Sequence, residues 1–259
     1  MGMRVAALYD VHGNLNALDA VLVEVDRLAP DLILIGGDVV FGPLPRATLE
    51  RLTSLGNRVR FILGNADREV VEALERPGVN ERPWSNQARW AAGQLTAPQR
   101  AALMKHPATA TLEIEGIGPT LFCHGTPRSD EEIITRISPE ARLAEILAGV
   151  EAALVVCGHT HVQYDRRAAG LRIVNAGSVG MPFEGEPAAR WAMLGPGVTL
   201  MRTPYDFEAA AGVVRSSGFP DAEAFVQKYL VGSPDPVTTS AFFEERAEEL
   251  RRGERPKPP

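Results

Sequence analysis

Four of the chain's five histidines stand in short glycine-containing fragments: Asp10-Val-His12-Gly13-Asn14, His124-Gly125 and Gly158-His159-Thr160-His161. Gly37-Asp38 and Gly64-Asn65 complete the series. Asp10, His12, Asp38, Asn65, His124, His159 and His161 together offer seven nitrogen or oxygen donors. That is more than one cation needs, and it suits two that share a bridging carboxylate. A two-metal centre holds a phosphate and generates hydroxide at neutral pH. Alone, each fragment reads as a turn or a polar surface residue; in series they read as a site. His106, beside Pro107 and outside the pattern, reads as a polar surface residue.

The elements that must position these residues follow from hydrophobic spacing. Val5 to Tyr9 is a strand that delivers the first fragment. Leu15, Leu18, Val21, Leu22, Val25 and Leu28 then recur at three- and four-residue steps, one face of an amphipathic helix that Pro30 stops. Leu32 to Ile35 is a continuous apolar run, as a strand covered on both faces shows, and it ends at Gly37-Asp38. Pro45 suits the first turn of a helix reaching Leu55, and Val59 to Leu63 is a third strand ending at Gly64-Asn65. In this βαβαβ order the motifs fall where strands give way to loops, the edge at which open α/β sheets bind ligands.

Residues 68 to 106 break the alternation. Helical stretches over 68–76 and 85–106, interrupted by Pro77-Gly78 and Pro83, carry Trp84 and Trp90. They read either as a wall or partial cap over the site or as an ordinary packed helical pair. Strands over Thr109–Glu115 and Thr120–Cys123 flank a Gly116-Ile117-Gly118 turn, and the second delivers His124. Pro139 to Leu147 is helical, and Ala153 to Cys157 is the strand before His159. Strands over 163–167, 171–175, 190–194 and 198–202, with turns at Ala169-Gly170 and Gly195-Pro196-Gly197, form antiparallel hairpins. The spacing predicts a main domain over 1–205, with 68–106 inserted, then a helical extension over 206–252 packed on it and a disordered tail over 253–259.

Bulk properties exclude several classes. A chain of 259 residues with 45% hydrophobic content supports one large α/β domain with ample core. The net charge of −6 argues against nucleic acid or an anionic membrane as the main partner. No apolar run approaches the roughly 20 residues of a spanning helix. The start runs straight into a strand without an export leader, so a cytoplasmic location is expected. Cys123 and Cys157 each lack a neighbouring cysteine at zinc-site spacing and read as buried strand residues in a reducing compartment.

The ordered series Asp-x-His, Gly-Asp, Gly-Asn, His-Gly and Gly-His-x-His resembles the calcineurin-like metallophosphoesterase superfamily. Asp10-Val-His12-Gly13-Asn14-Leu-x-Ala-Leu and Asn175-Ala-Gly177-Ser178-Val-Gly180 are similar to its small bacterial and archaeal phosphodiesterase branch. The resemblance implies a four-layer α/β/β/α sandwich of two mixed sheets. It implies that Asp10, His12 and His161 hold one divalent metal, that Asn65, His124 and His159 hold a second, and that Asp38 bridges them. Imidazole suits several metals; manganese is expected first, with iron, nickel, zinc or magnesium as alternatives. His159 and His161 reach one site if the strand end stays extended, because alternate residues share a side.

Other positions keep two readings. Gly13-Asn14 offers an anion site or a helix N-cap, so Asn14 is a candidate substrate contact. Arg128 reaches a substrate phosphate or lies solvated. Many relatives carry His after Gly-Asn, thought to serve the leaving group; here Ala66 stands there, and the missing acid slows poor leaving groups by roughly 10²–10⁴-fold. Asp67 orients a ligand histidine or caps the next helix. The implied activity is hydrolysis of a nucleotide-type or other small phosphodiester by a hydroxide shared between the metals, with Asp38, Asn65 and His124 central to it. A phosphomonoesterase and a non-catalytic metal-binding scaffold are the alternatives. No stable nucleic-acid complex or membrane association is expected, and self-association stays open.

Overall fold

The computed structural model describes residues 2–75 and 84–253. The expected breaks at Pro77-Gly78 and Pro83, and the tail beyond Gly253, lie outside the described residues.

Two five-stranded mixed sheets form the centre. In the first, β1 (Val5–Leu8), β2 (Leu32–Ile35) and β3 (Val59–Phe61) run parallel, and β1 is extended on its other side by the antiparallel hairpin β9 (Ala189–Leu194) and β10 (Val198–Thr203). In the second, β5 (Gly118–Cys123), β6 (Leu154–Cys157) and β8 (Leu171–Asn175) are parallel. Antiparallel β4 (Thr109–Ile114) and β7 (Tyr164–Ala168) close its edges.

The period of two along each strand sorts side chains into layers. Val5, Ala7 and Tyr9 face Leu154, Val156 and Phe122 in the core between the sheets. Ala6 and Leu8 point the other way, onto Leu18, Val21 and Leu22 of helix α1 (Leu15–Leu28). On the far side, Val155 and Cys157 pack beneath Leu143 and Ile146 of a helix over Glu140–Ile146. The result is the expected four-layer α/β/β/α sandwich, with both cysteines buried and free.

Three local departures have simple causes. Helix α2 covers Pro45–Thr53, but α3 (Asn65–Glu75) begins at Asn65 itself, so a donor candidate opens a helix rather than closing a loop. The stretch 85–106 is two helices, α4 (Ser85–Gln94) and α5 (Ala97–Leu103). They part at Leu95-Thr96, where Thr96 and Gln99 form a reciprocal capping box. α4 buries Ala88, Ala91 and Ala92 in the same core as Val70 and Val71 of α3, which makes this pair largely an ordinary packed one. The helix over Glu140–Ile146 becomes α6. His106 is half-buried and stacks on Phe61 at 4.8 Å.

The extension after β10 consists of α7 (Phe207–Ser216), the short α8 (Ala222–Phe225) running into a π-helical turn over Val226–Val231, and α9 (Pro236–Arg251). It shares its own apolar cluster, including Phe225 and Leu230, with Met181 and Phe183 of the loop after β8. α9 is capped by Asp235 and clamped to α6: Glu244 accepts from Arg142 at 2.6 Å, Ser138 at 2.5 Å and Thr135 at 2.6 Å. Among the described residues no helix is long and apolar enough to cross a membrane.

Candidate metal centre

Every donor lies just past the C-terminal end of a strand that has a parallel neighbour. Asp10 and His12 follow β1, Asp38 follows β2, Asn65 follows β3, His124 follows β5, and His159 and His161 follow β6. The loops are stitched together beyond the sheet: His12 N–H donates to the Asp38 carbonyl at 2.9 Å, and His159 N–H to Asp10 Oδ2 at 2.9 Å.

Asp10, His12, Asp38, His159 and His161 all adopt left-handed backbone, with φ between 48° and 64°. Such geometry costs about 1–3 kcal/mol per residue and gathers where function requires it. It also corrects the expectation of an extended strand end at His159 and His161. The two left-handed residues send their rings to different groups: Asp10, His12 and His161 gather in one, Asp38, His124 and His159 in the other. Within each group the donor atoms lie within 4.8 Å of one another. The glycines of the motifs make room for the carboxylates. A Cβ on Gly64 would strike the Asp38 carboxylate, and one on Gly158 would strike Asp10 Oδ2.

The hydrogen bonding fixes which atoms face inward. Nδ1 of His12, His161 and His124 donates to the carbonyls of Phe41 at 3.0 Å, Met181 at 2.7 Å and Gly36 at 2.8 Å. In a neutral ring Nε2 is then an acceptor, yet His12 Nε2 and His161 Nε2 lie 3.2 Å apart. His124 Nε2 is 3.2 Å from Asp38 Oδ2 and 3.0 Å from Asn65 Oδ1, while Glu69 takes the Asn65 amide hydrogen at 3.4 Å. Among the described residues Asp10 Oδ1 is buried without a hydrogen-bond partner, 3.4 Å from His161 Nε2. Lone pairs converge between His12, His161 and Asp10, and around His124 a single N–H faces two oxygens; a donor set of this kind fits cations once His124 gives up that proton.

The electrostatics separate the rings. Burial and the neighbouring His161 push His12 down to about 4; burial and His124 do the same to His159. Burial would lower His124 too, but the Asp38 charge and hydrogen bond override it and raise that ring to about 10. Burial works to raise the Asp38 carboxyl, and His124 outweighs it and holds the group below its ordinary range. Behind this layer, Asp67 is buried and accepts from Val39 N–H at 2.8 Å and Val40 N–H at 2.9 Å. It therefore neither caps α3 nor orients a histidine; it holds the loop that carries Asp38. Burial and the Asp38 charge raise it to about 7.

The donors open into a cavity of about 480 Å³. Two expected substrate contacts are engaged elsewhere. Asn14 caps α1 through Ala17 N–H at 3.1 Å and donates to the Gly180 carbonyl at 3.0 Å. Arg128 is exposed and ion-paired with Glu132 at 2.6 Å and Glu145 at 3.2 Å. The insertion reaches the cavity mainly with Trp84, Gln87 and Glu69. Most of the opposite wall comes from the extension, including Phe225, Lys228, Tyr229, Phe243 and Arg246. The sequence reading missed these residues. Their one signal is enrichment: seven of the chain's thirteen Phe and Tyr residues fall between Tyr205 and Phe243.

Residues 3–194 match the family model of the calcineurin-like phosphoesterase superfamily domain. A symmetrical bis(5′-nucleosyl)-tetraphosphatase from Janthinobacterium sp. (strain Marseille) is 37% identical over 71 residues, 27% of this chain and 26% of that protein. The match thus spans about a quarter of that relative's length. Among solved structures, a metallophosphoesterase from Sphaerobacter thermophilus is 28% identical with a TM-score of 0.70, covering 88% of this chain and 98% of its own. A hypothetical protein from Pyrococcus horikoshii OT3, 20% identical with a TM-score of 0.76, shares the fold over 91% of this chain and 100% of its own. The fold, the order of the donors and the family match agree: this chain belongs to the calcineurin-like phosphoesterase superfamily.

Proposed function

We propose that the protein is a two-metal phosphodiesterase acting on nucleotide-type or other small phosphodiesters. The observation that carries this reading is the convergence of two buried or half-buried His/Asp groups, with Asp10 Oδ1 unpaired among the described residues. Asp10, His12 and His161 would hold one cation, and Asn65, His124 and His159 the other. Asp38 suits the bridge, its Oδ2 lying 3.9 Å from His12 Nε2 and 3.2 Å from His124 Nε2. Bound divalent cations supply Lewis acidity at the phosphoryl oxygens and lower the pKa of water. Manganese is the first candidate, and the donor set also accepts iron, nickel, zinc or magnesium.

The chain's own residues do the rest. Backbone carbonyls pin three imidazoles in one tautomer, and Glu69 turns the Asn65 oxygen inward. Ala66 lines the cavity where many relatives place a histidine, so no imidazole at that position protonates the leaving oxygen. Esters with acidic alcohols are therefore favoured. The test is to strip the protein of metal, reload it with each cation in turn, and assay nitrophenyl mono- and diesters. Diester hydrolysis restored by metal supports the reading. Preference for the monoester turns it into a phosphomonoesterase, and no hydrolysis with any cation leaves a metal-binding scaffold.

A further inference from the structure

The wall facing the donors is aromatic rather than simply apolar. Phe183 leans on the donor ring of His161 at 4.5 Å, and Phe243 on that of His159 at 6.4 Å. The two phenyl planes lie within 21° of each other with centroids 6.5 Å apart, and Tyr229 stands 5.9 Å from Phe183. An acyl chain gains nothing special from flat, nearly parallel rings; a heteroaromatic ring does, because every base has a π-face to stack. Lys228 and Arg246 line the same cavity, in a chain whose net charge is −6. The acids there are already bonded: Glu69 accepts from Trp84 Nε1 at 2.8 Å, and Glu131 pairs with Arg68 at 2.8 Å. Phe225, Lys228, Tyr229, Phe243 and Arg246 all lie beyond the 3–194 span of the family match.

We propose that the C-terminal extension completes a nucleobase subsite. The base of a nucleoside phosphate seats against Phe183, Tyr229 and Phe243, and its phosphate is directed to the donors, with Lys228 and Arg246 beside any further phosphate. This deepens the phosphodiesterase reading and rests on it for the direction of the phosphate. Phe243 is half-buried, and its place depends on the next residue, since Glu244 holds α9 to Arg142.

The test uses titration calorimetry on the full chain loaded with manganese. The probes are a C–P-linked phosphonate of adenosine, which cannot be hydrolysed, and the same phosphonate of ribose and of glycerol. Adenosine phosphonate should bind about ten-fold or more tightly than ribose phosphonate, as stacking magnitudes predict. Phe243→Leu and Tyr229→Leu should each bring the ratio toward one, and Phe243→Trp should keep it. Equal binding of adenosine and ribose phosphonates, no binding of either, or glycerol phosphonate binding as tightly, overturns the subsite. Hydrolysis of nitrophenyl diesters in that case leaves the phosphodiesterase reading standing. A retained adenosine preference without hydrolysis by any metal-loaded form does the reverse.

Discussion

The two faces of the cavity are built differently. On the strand face, Asp10, His12, Asp38, His124 and His161 are buried, and three of the imidazoles are pinned by backbone carbonyls. On the helix face, Tyr229 and Phe243 are half-buried, Lys228 is exposed, and ring contacts with the Glu244 clamp hold the wall in place. A buried polar group without its partner is expensive, so the first face tolerates few changes. Apolar contacts are non-directional, so the second accepts many. In the proposed reading, chemistry belongs to the face that tolerates few changes, and selectivity to the face that accepts many.

Substitutions on the two faces should therefore separate cleanly. The largest effect belongs to Asp38→Asn, which should cost on the order of 10³-fold or more in kcat/KM. Elemental analysis should show metal lost with activity, and circular dichroism an unchanged fold. Full metal content with near-normal turnover would remove Asp38 from the bridge.

Next comes Glu244→Ala, which leaves the buried Arg142 short of its main partner and should lower stability by about 3 kcal/mol. Chemical denaturation measures that loss. Metal content should stay at the parent level while limited proteolysis begins within α9. Loss of metal in this variant would mean that the faces are not independent.

Glu69 joins the strand face to the inserted segment, through Asn65 and Trp84. Glu69→Ala should weaken metal affinity by about 10–100-fold, as loss of an outer hydrogen bond to a ligand does. Competition with a chelator would reveal it, and an unchanged affinity would mean that Asn65 needs no such support.

The smallest effect per step is graded with pH. His124 in the metal-free protein is raised to about 10, so it is charged at neutral pH and must release its proton to donate to a cation. Apparent metal affinity should rise by up to about tenfold per pH unit from neutrality, and flatten near pH 10. For the metal-free fold the sign is opposite. A raised histidine stabilises fully below its ordinary value near 6.5, and that contribution fades as pH climbs through about 10. Thermal melts with chelator, of the parent against His124→Gln, measure it; parallel curves above pH 7 would sink the assignment.

Legibility in the sequence follows the same division. β1 to β3 and the hairpins near the end of the sandwich could be read because strand periodicity and turn chemistry are local. The donor candidates stand out in the sequence because coordination requires particular residue types at strand ends, and the structure gathers six of the seven into two groups. Asp67 could not, since its partners Val39 and Val40 belong to another loop. The break at Leu95-Thr96 is written in Thr96-x-x-Gln99, a capping signal that hydrophobic periodicity alone does not register. The aromatic wall left only a compositional trace, because its meaning depends on where α9 docks, and docking at Glu244 and Arg142 joins residues 102 positions apart.

The left-handed backbone at five donors sets a limit on re-engineering the centre. Asp, Asn and His are several-fold enriched in that conformation among non-glycine residues, and branched or bulky side chains are genuine outliers there. A designer who tries to retune the metal by exchanging ligands at positions 10, 12, 38, 159 or 161 meets the main chain before meeting the cation. Asn65 and His124 fall outside that set. At those two positions the main chain imposes no such limit, and in the proposed centre both would serve the same cation.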